Sequence, residues 1–95
     1  MQLPYIAVEG IGKTREEILQ SLIETEMVLW MLGYRKPDEN WNNLAITVFD
    51  VRYIICVDDE KSILYSNNNS SKYDNQFKST ELMSLINYVE QFKNK

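Results

Sequence analysis

The sequence predicts an α+β domain in which two helices pack on one face of a mainly antiparallel sheet of three to four strands, in the order β-α-β-β-β-α. Three observations carry that expectation. Apolar residues recur at helical spacing over residues 14–32 and again over 79–92. The runs "LPYIAVE", "LAITVF", "VRYIICV" and "SILYS" lie outside those stretches and are rich in β-branched or aromatic residues. The turn "VDDEK" joins two of these runs too closely for a crossover helix, so they form a hairpin. With 95 residues, no internal repeat and no long linker, the chain reads as one domain spanning 1–95.

The first strand is "LPYIAVE", and Pro4 places it at or near a sheet edge because proline has no N–H for a ladder. From Thr14 a helix is expected to Leu32, with Gly33 as its left-handed cap. Ile18, Leu22 and Leu29 form one row on it, and Leu19, Ile23 and Trp30 the adjacent row. Its last turns, "MVLWML", are apolar all round. One layer of packing covers only one side of a helix, so some of Met27, Val28, Trp30, Met31 and Tyr34 need another cover or stay exposed. The loop "YRKPDENWNN", with Pro37 as a stop signal, could fold back over them.

Residues 44–57 read as one bent strand or two. Trp41, Leu44, Ala45, Val48 and Phe49 also fit helical spacing, and "PDENW" could open a helix. The strand is preferred because Ile46, Thr47 and Val48 are a poor helical run. "NNNSSKYDNQ" reads as a loop, and with Tyr73 and Phe77 beside it as a candidate contact loop. A final helix begins at Ser79 or Thr80 and runs to about Phe92, with a stripe of Leu82, Leu85, Ile86, Val89 and Phe92.

Composition excludes much chemistry. There is no histidine, which removes the commonest general base and every Ser-His or Cys-His arrangement. One cysteine and no histidine cannot build a tetrahedral zinc site. Cys56, in the apolar run "YIICV", reads as a buried inert thiol suited to a reducing compartment. "MQLPYIAVEG" does not read as a signal peptide, and "MVLWML" is far short of a membrane span, so a cytoplasmic protein away from membranes is expected. Net charge is −4, and among the ten scattered basic residues only Arg35 and Lys36 adjoin. That pattern disfavours direct nucleic-acid binding and favours a partner protein with a basic or neutral surface. Asp58, Asp59 and Glu60 form the one acidic run, but lack the alternation and central glycine of a calcium loop.

"AVEGIGKT", residues 7–14, resembles the first strand and phosphate loop of nucleoside and thymidylate kinases, where I-x-x-E-G opens the loop and G-K-[ST] closes it. The resemblance implies a phosphate cradled by the amides of residues 10–14. It covers under a tenth of the chain, and only Ile11 separates Gly10 from Gly12, a shorter span than those enzymes use. A wrap of successive inward N–H groups needs the full span. The local chemistry reads more simply as a helix start. In "TREE" the Thr14 hydroxyl accepts from the Glu17 N–H while the Glu17 carboxylate reaches back. Glu16 and Glu17 favour the positive end of the helix dipole and would repel a phosphate.

The expected function is therefore a non-enzymatic module, needing no cofactor or metal, that occupies a surface of another protein. Inhibitors, immunity factors and regulators of phage or mobile-element origin are the associated classes. Trp30, Met31, Tyr34, Arg35 and Trp41 are the expected contact residues, with Asp58, Asp59 and Glu60 as an acidic patch for a basic partner. A homodimer is expected, as the simplest cover for the apolar surplus. Two other classes stay open: a small-molecule or nucleotide sensor using the Gly10–Thr14 turn, and an acidic nucleic-acid mimic.

Overall fold

Ile6, Ala7 and Val8 are all buried, and they lie in the interior of the sheet rather than at its edge. The computed structural model describes residues 3–48, 50–56, 61–67 and 75–93. Its elements are β1 (Ile6–Glu9), α1 (Arg15–Met31), α2 (Glu39–Val48), β2 (Tyr53–Cys56), β3 (Leu64–Ser66), β4 (Gln76–Lys78) and α3 (Leu82–Lys93). The sheet order is β3-β2-β1-β4. β1 pairs antiparallel with β2, and β2 antiparallel with β3, while β1 and β4 are parallel. The α+β class and the antiparallel pairing of β2 with β3 match the expectation, and residues 57–60 of the expected turn lie outside the described residues. The sheet is mixed, and there are three helices among the described residues.

Three expectations about the elements are corrected. Pro4 does not mark an edge: it is buried ahead of β1, and its carbonyl accepts the Tyr34 hydroxyl at 2.7 Å. Residues 44–48 are helical, so "LAITV" supplies the end of α2 and no strand. The fourth strand comes instead from Gln76–Lys78, at the end of the expected loop. Asp38 starts α2: its carboxylate accepts from the N–H groups of Asn40 and Trp41, and its carbonyl from Asn42. Pro37 thus precedes a helix start. Asn42 and Ala45, three residues apart, face inward, and this tertiary docking outweighs the few tenths of a kcal/mol by which β-branched residues disfavour a helix.

Asn42 explains why docking succeeds. β3 is an edge strand whose outward N–H and C=O groups need partners. The buried Asn42 side chain supplies both, donating to the Ile63 carbonyl at 3.1 Å and accepting from the Tyr65 N–H at 3.2 Å. The amide stands in for the next strand of the ladder.

The helix-facing side of the sheet carries Ile6, Val8, Ile54, Cys56 and Tyr65, with Phe77 at its margin. Ile18, Leu22 and Leu29 of α1, Ala45 of α2, and Leu85 and Val89 of α3 join the same core. Gly10 sits close under α1: a Cβ there would lie 2.8 Å from side-chain carbons of both Ile18 and Leu22. Space, not a positive φ, requires glycine at this position, since Gly33 at +110° is the positive-φ glycine among the described residues. Gly33 closes α1 as expected. Its N–H bonds the Trp30 carbonyl and the Tyr34 N–H bonds the Leu29 carbonyl, each at 3.1 Å, which forms a Schellman motif.

Two substitutions test this packing. Gly10→Ala is expected to lose about 1–3 kcal/mol from overpacking, read as a lowered urea midpoint. Asn42→Ala strips both edge groups of β3 of their partner and is expected to lose about 1–3 kcal/mol. Hydrogen exchange at the Tyr65 amide should rise in that variant more than exchange in β1.

Candidate functional site

The residues expected to form a contact surface do not share one fate. Tyr34 leaves the surface altogether, at 1% exposure. The reason is the helix ending: in a Schellman motif the residue after the left-handed glycine folds back towards the last turns. That residue is Tyr34, and both it and Leu29 join the core. Trp30 and Met31 are 51% and 80% exposed, and Trp41 is 48% exposed. Arg35 is exposed as well. Asp58, Asp59, Glu60 and Tyr73 lie outside the described residues, as does Phe49.

Because Ile18, Leu22, Thr25 and Leu29 point down, the helical period sends Ile23, Met27, Trp30 and Met31 up and to one side. All four are exposed, Met27 to 62%. Met27 and Ile23 were not among the expected contact residues; the spacing of 23, 27, 30 and 31 is the signal that groups them. A second apolar row, Trp41, Leu44 and Val48, is exposed on α2. Ile23 and Trp30 belong to the second apolar row that the helical spacing places on α1, and Trp41, Leu44 and Val48 to the helical spacing over 41–49.

α1 and α2 run in opposite senses. At one end the Arg15 guanidinium donates to the Ile46 carbonyl at 2.7 Å. At the other, Glu26, Met27 and Trp30 line a groove with Lys36, Pro37 and Glu39. The loop therefore folds back in part, and the Lys36 ammonium stands 4.7 Å above the Trp30 ring centre. This leaves Trp30 half exposed and does not reach Met31. On the opposite flank Val28, Met31 and Leu32 form an open trough with Ile86 and Glu90 of α3. Lys93 ties that flank together, donating to the Leu32 carbonyl at 3.0 Å.

The charge around this face is one-sided. From residue 16 to residue 34 the chain holds four glutamates and no lysine or arginine. Glu26 accepts the Tyr65 hydroxyl. Among the described residues Glu39 makes no ion pair; the pair found there is Arg52 with Asp50, at 3.2 Å between exposed side chains.

The glycine turn is internally committed. The Gly10 N–H donates to the Arg52 carbonyl at 2.7 Å and the Ile11 N–H to the Ser79 hydroxyl at 2.9 Å. The Glu17 N–H donates to the Thr14 hydroxyl at 3.1 Å, as the capping reading requires. The Glu17 carboxylate reaches back one residue further than expected, accepting from the Lys13 N–H at 2.7 Å. A phosphate seeking these amides would compete with a carboxylate already in place. Gly12 also lies against α1, where a Cβ would come within 2.7 Å of the Glu17 Cβ.

No three metal-ligating side chains come together among the described residues. No helix among them is long and apolar enough to cross a membrane. The sheet face away from the helices carries Ala7, Ile55, Leu64 and Tyr53 with Glu9, Gln76 and Lys78, so its aromatic and basic groups do not form a track for a phosphate backbone. Comparison with protein-family models, with curated proteins and with solved structures finds no match.

Burial pushes the phenols of Tyr34 and Tyr65 far above their ordinary value, with Cys56 and Tyr88 adding for Tyr34, and the Glu26 hydrogen bond and charge adding for Tyr65. The folded chain holds these protons more tightly than the unfolded chain does. Their stabilisation is therefore complete below the unfolded phenol value of about 10 and is lost as pH climbs above it. Alkaline unfolding is expected to begin there, with two of the six tyrosines ionising only as the fold opens, which absorbance at alkaline pH would follow. Tyr34→Phe is expected to flatten that pH dependence while losing about 1 kcal/mol at neutral pH, with the Pro4 bond. For the turn, Thr14→Ala is expected to lose about 0.5–2 kcal/mol. A mant-ATP titration is expected to show no saturable binding, with or without Lys13→Ala.

Proposed function

We propose that this chain is a non-enzymatic protein-binding module of the cytoplasm that acts by occupying a partner protein's surface through α1. The observation that carries the reading is the exposed row Ile23, Met27, Trp30 and Met31. Scattered apolar side chains on a surface need no explanation, but an aligned row of large ones rimmed by charge is the composition of a docking site. Tryptophan and methionine are among the residues enriched where proteins meet. Trp41, Leu44 and Val48 extend the apolar surface on α2.

The occupant is a different protein with a basic or neutral surface. A second copy, the homodimer expected from the sequence, would bring together two faces whose charged residues between Arg15 and Arg35 are all glutamates. Roles as an inhibitor, immunity factor or regulator fit a domain that blocks by contact rather than by chemistry.

The full chain, immobilised and offered an extract of the cells that make it, tests the reading. The expected result is a protein that wild type retains and a Met27→Ser, Trp30→Ala, Met31→Ser variant loses, with an unchanged thermal midpoint and with binding reproduced from the two purified components. Retention indifferent to all three substitutions would overturn the α1 face. Sedimentation velocity at micromolar concentration is expected to show a monomer, and a dimer abolished by Trp30→Ala would assign the face to a second copy instead.

A further inference from the structure

The groove between α1 and the segment leading into α2 has a composition that its apolar row alone does not explain. Its walls are Met27, Trp30 and Pro37, its charged groups are Glu26, Glu39 and Lys36, and its volume is about 210 Å³. An aromatic face bracketed by carboxylates attracts a cation, because the ring quadrupole and the anions act in the same direction. In this structure a cation is already there: the Lys36 ammonium, 4.7 Å from the Trp30 ring centre. Lys36 comes from the exposed stretch between two helices, and its side chain is itself exposed. Its hold on Trp30 is therefore a surface contact, which another cation can replace.

We propose that this groove receives a lysine or arginine side chain from an amphipathic basic segment of the partner, and that Lys36 is an intramolecular stand-in which the partner displaces. The proposal rests on the reading of α1 as a docking face and specifies its chemistry. Trp30 provides the stacking surface, and Glu39 with Glu26 provides the counter-charge. Met27 and Met31, adjacent on the same side of α1, take the apolar side of the same segment. The absence of any basic residue between Arg15 and Arg35 extends the attraction along the whole helix, since Arg15 is turned to the Ile46 carbonyl. Exposed charges of this kind raise the association rate and act over about 10 Å at ordinary salt.

Isothermal titration calorimetry of the full chain with a synthetic leucine–lysine peptide, leucines at helical spacing, tests it against the matching leucine–glutamate peptide. The expected result is saturable binding of the lysine peptide only, weakening as salt rises. Trp30→Ala is expected to weaken it about tenfold, and Glu39→Gln to weaken it and to reduce its salt dependence. Lys36→Ala is expected to tighten binding about threefold, because it removes both the stand-in and a repelling charge. This sign is the distinctive one: a Lys36→Ala variant that binds no better, at an unchanged thermal midpoint, overturns the displacement. Equal binding of both peptides, still dependent on Trp30, overturns the cationic chemistry while leaving the docking face intact. Binding of neither peptide overturns the proposed chemistry, and peptide binding indifferent to Trp30, Met27 and Met31 removes the docking face as well.

Discussion

The close crossing of α1 over β1 at Gly10 is the constraint from which the surface of this protein follows. A helix separated from a strand by so short a turn can land in few ways. With Ile18 and Leu22 pressed against a backbone that has no Cβ, the rotation of α1 about its own axis is set. Everything on the helix then has an address. Thr25 and Leu29 continue the buried line, and Ile23, Met27, Trp30 and Met31 are delivered to solvent. The same crossing draws the turn tight enough for its amides to be used by Arg52, Ser79 and Glu17. One packing contact thus fills the most kinase-like feature of the sequence and exposes the face that carries the proposed function.

The flanking helices decide how much of that face remains. α3 closes one side, anchored by Leu85 and Val89 in the core and by Lys93 on the carbonyl end of α1. α2 stands over the other sheet edge, held by the Asn42 amide on β3 and by Arg15 at its far end. Neither reaches over the top of α1. The negative charge of α1 is likewise left uncovered, with Lys36 the basic group stacked against its exposed tryptophan. Apolar surface and charge of one sign are held together on one helix, the combination that the proposed docking face requires for adhesion and selectivity.

Much of the fold is legible in the sequence wherever a signal is local. Thr14 with Glu17 announces the start of α1, Gly33 announces its end, and the Leu85–Val89 spacing announces α3. The β-branched and aromatic run "VRYIICV" announces a strand but not its facing; the pairing Val8 with Ile54 with Tyr65 settles that Ile54 and Cys56 look towards the helices. Two misreadings share a cause. Tyr34 looks like a surface aromatic because it follows an apolar run and precedes a polar loop, but its place after Gly33 folds it inward. "LAITVF" looks like a strand because its β-branched residues disfavour a helix, but that preference is worth little against an Asp38 cap and an amide that completes a sheet edge.

What the sequence by itself determined are the properties that depend on neighbours in the chain: helix ends, the amphipathic period, the absence of imidazole chemistry and the unbroken acidic balance of residues 16–34. What only the tertiary structure decided are the properties that depend on partners distant in sequence. These include the parallel pairing of β4 with β1, the central position of β1, the helical state of 39–48, and the identity of the exposed side of α1. The physical reason is the same in each case. A cap or a periodic stripe is stabilised within a few residues, whereas a sheet edge or a buried face is stabilised by groups that come together only when the whole core closes.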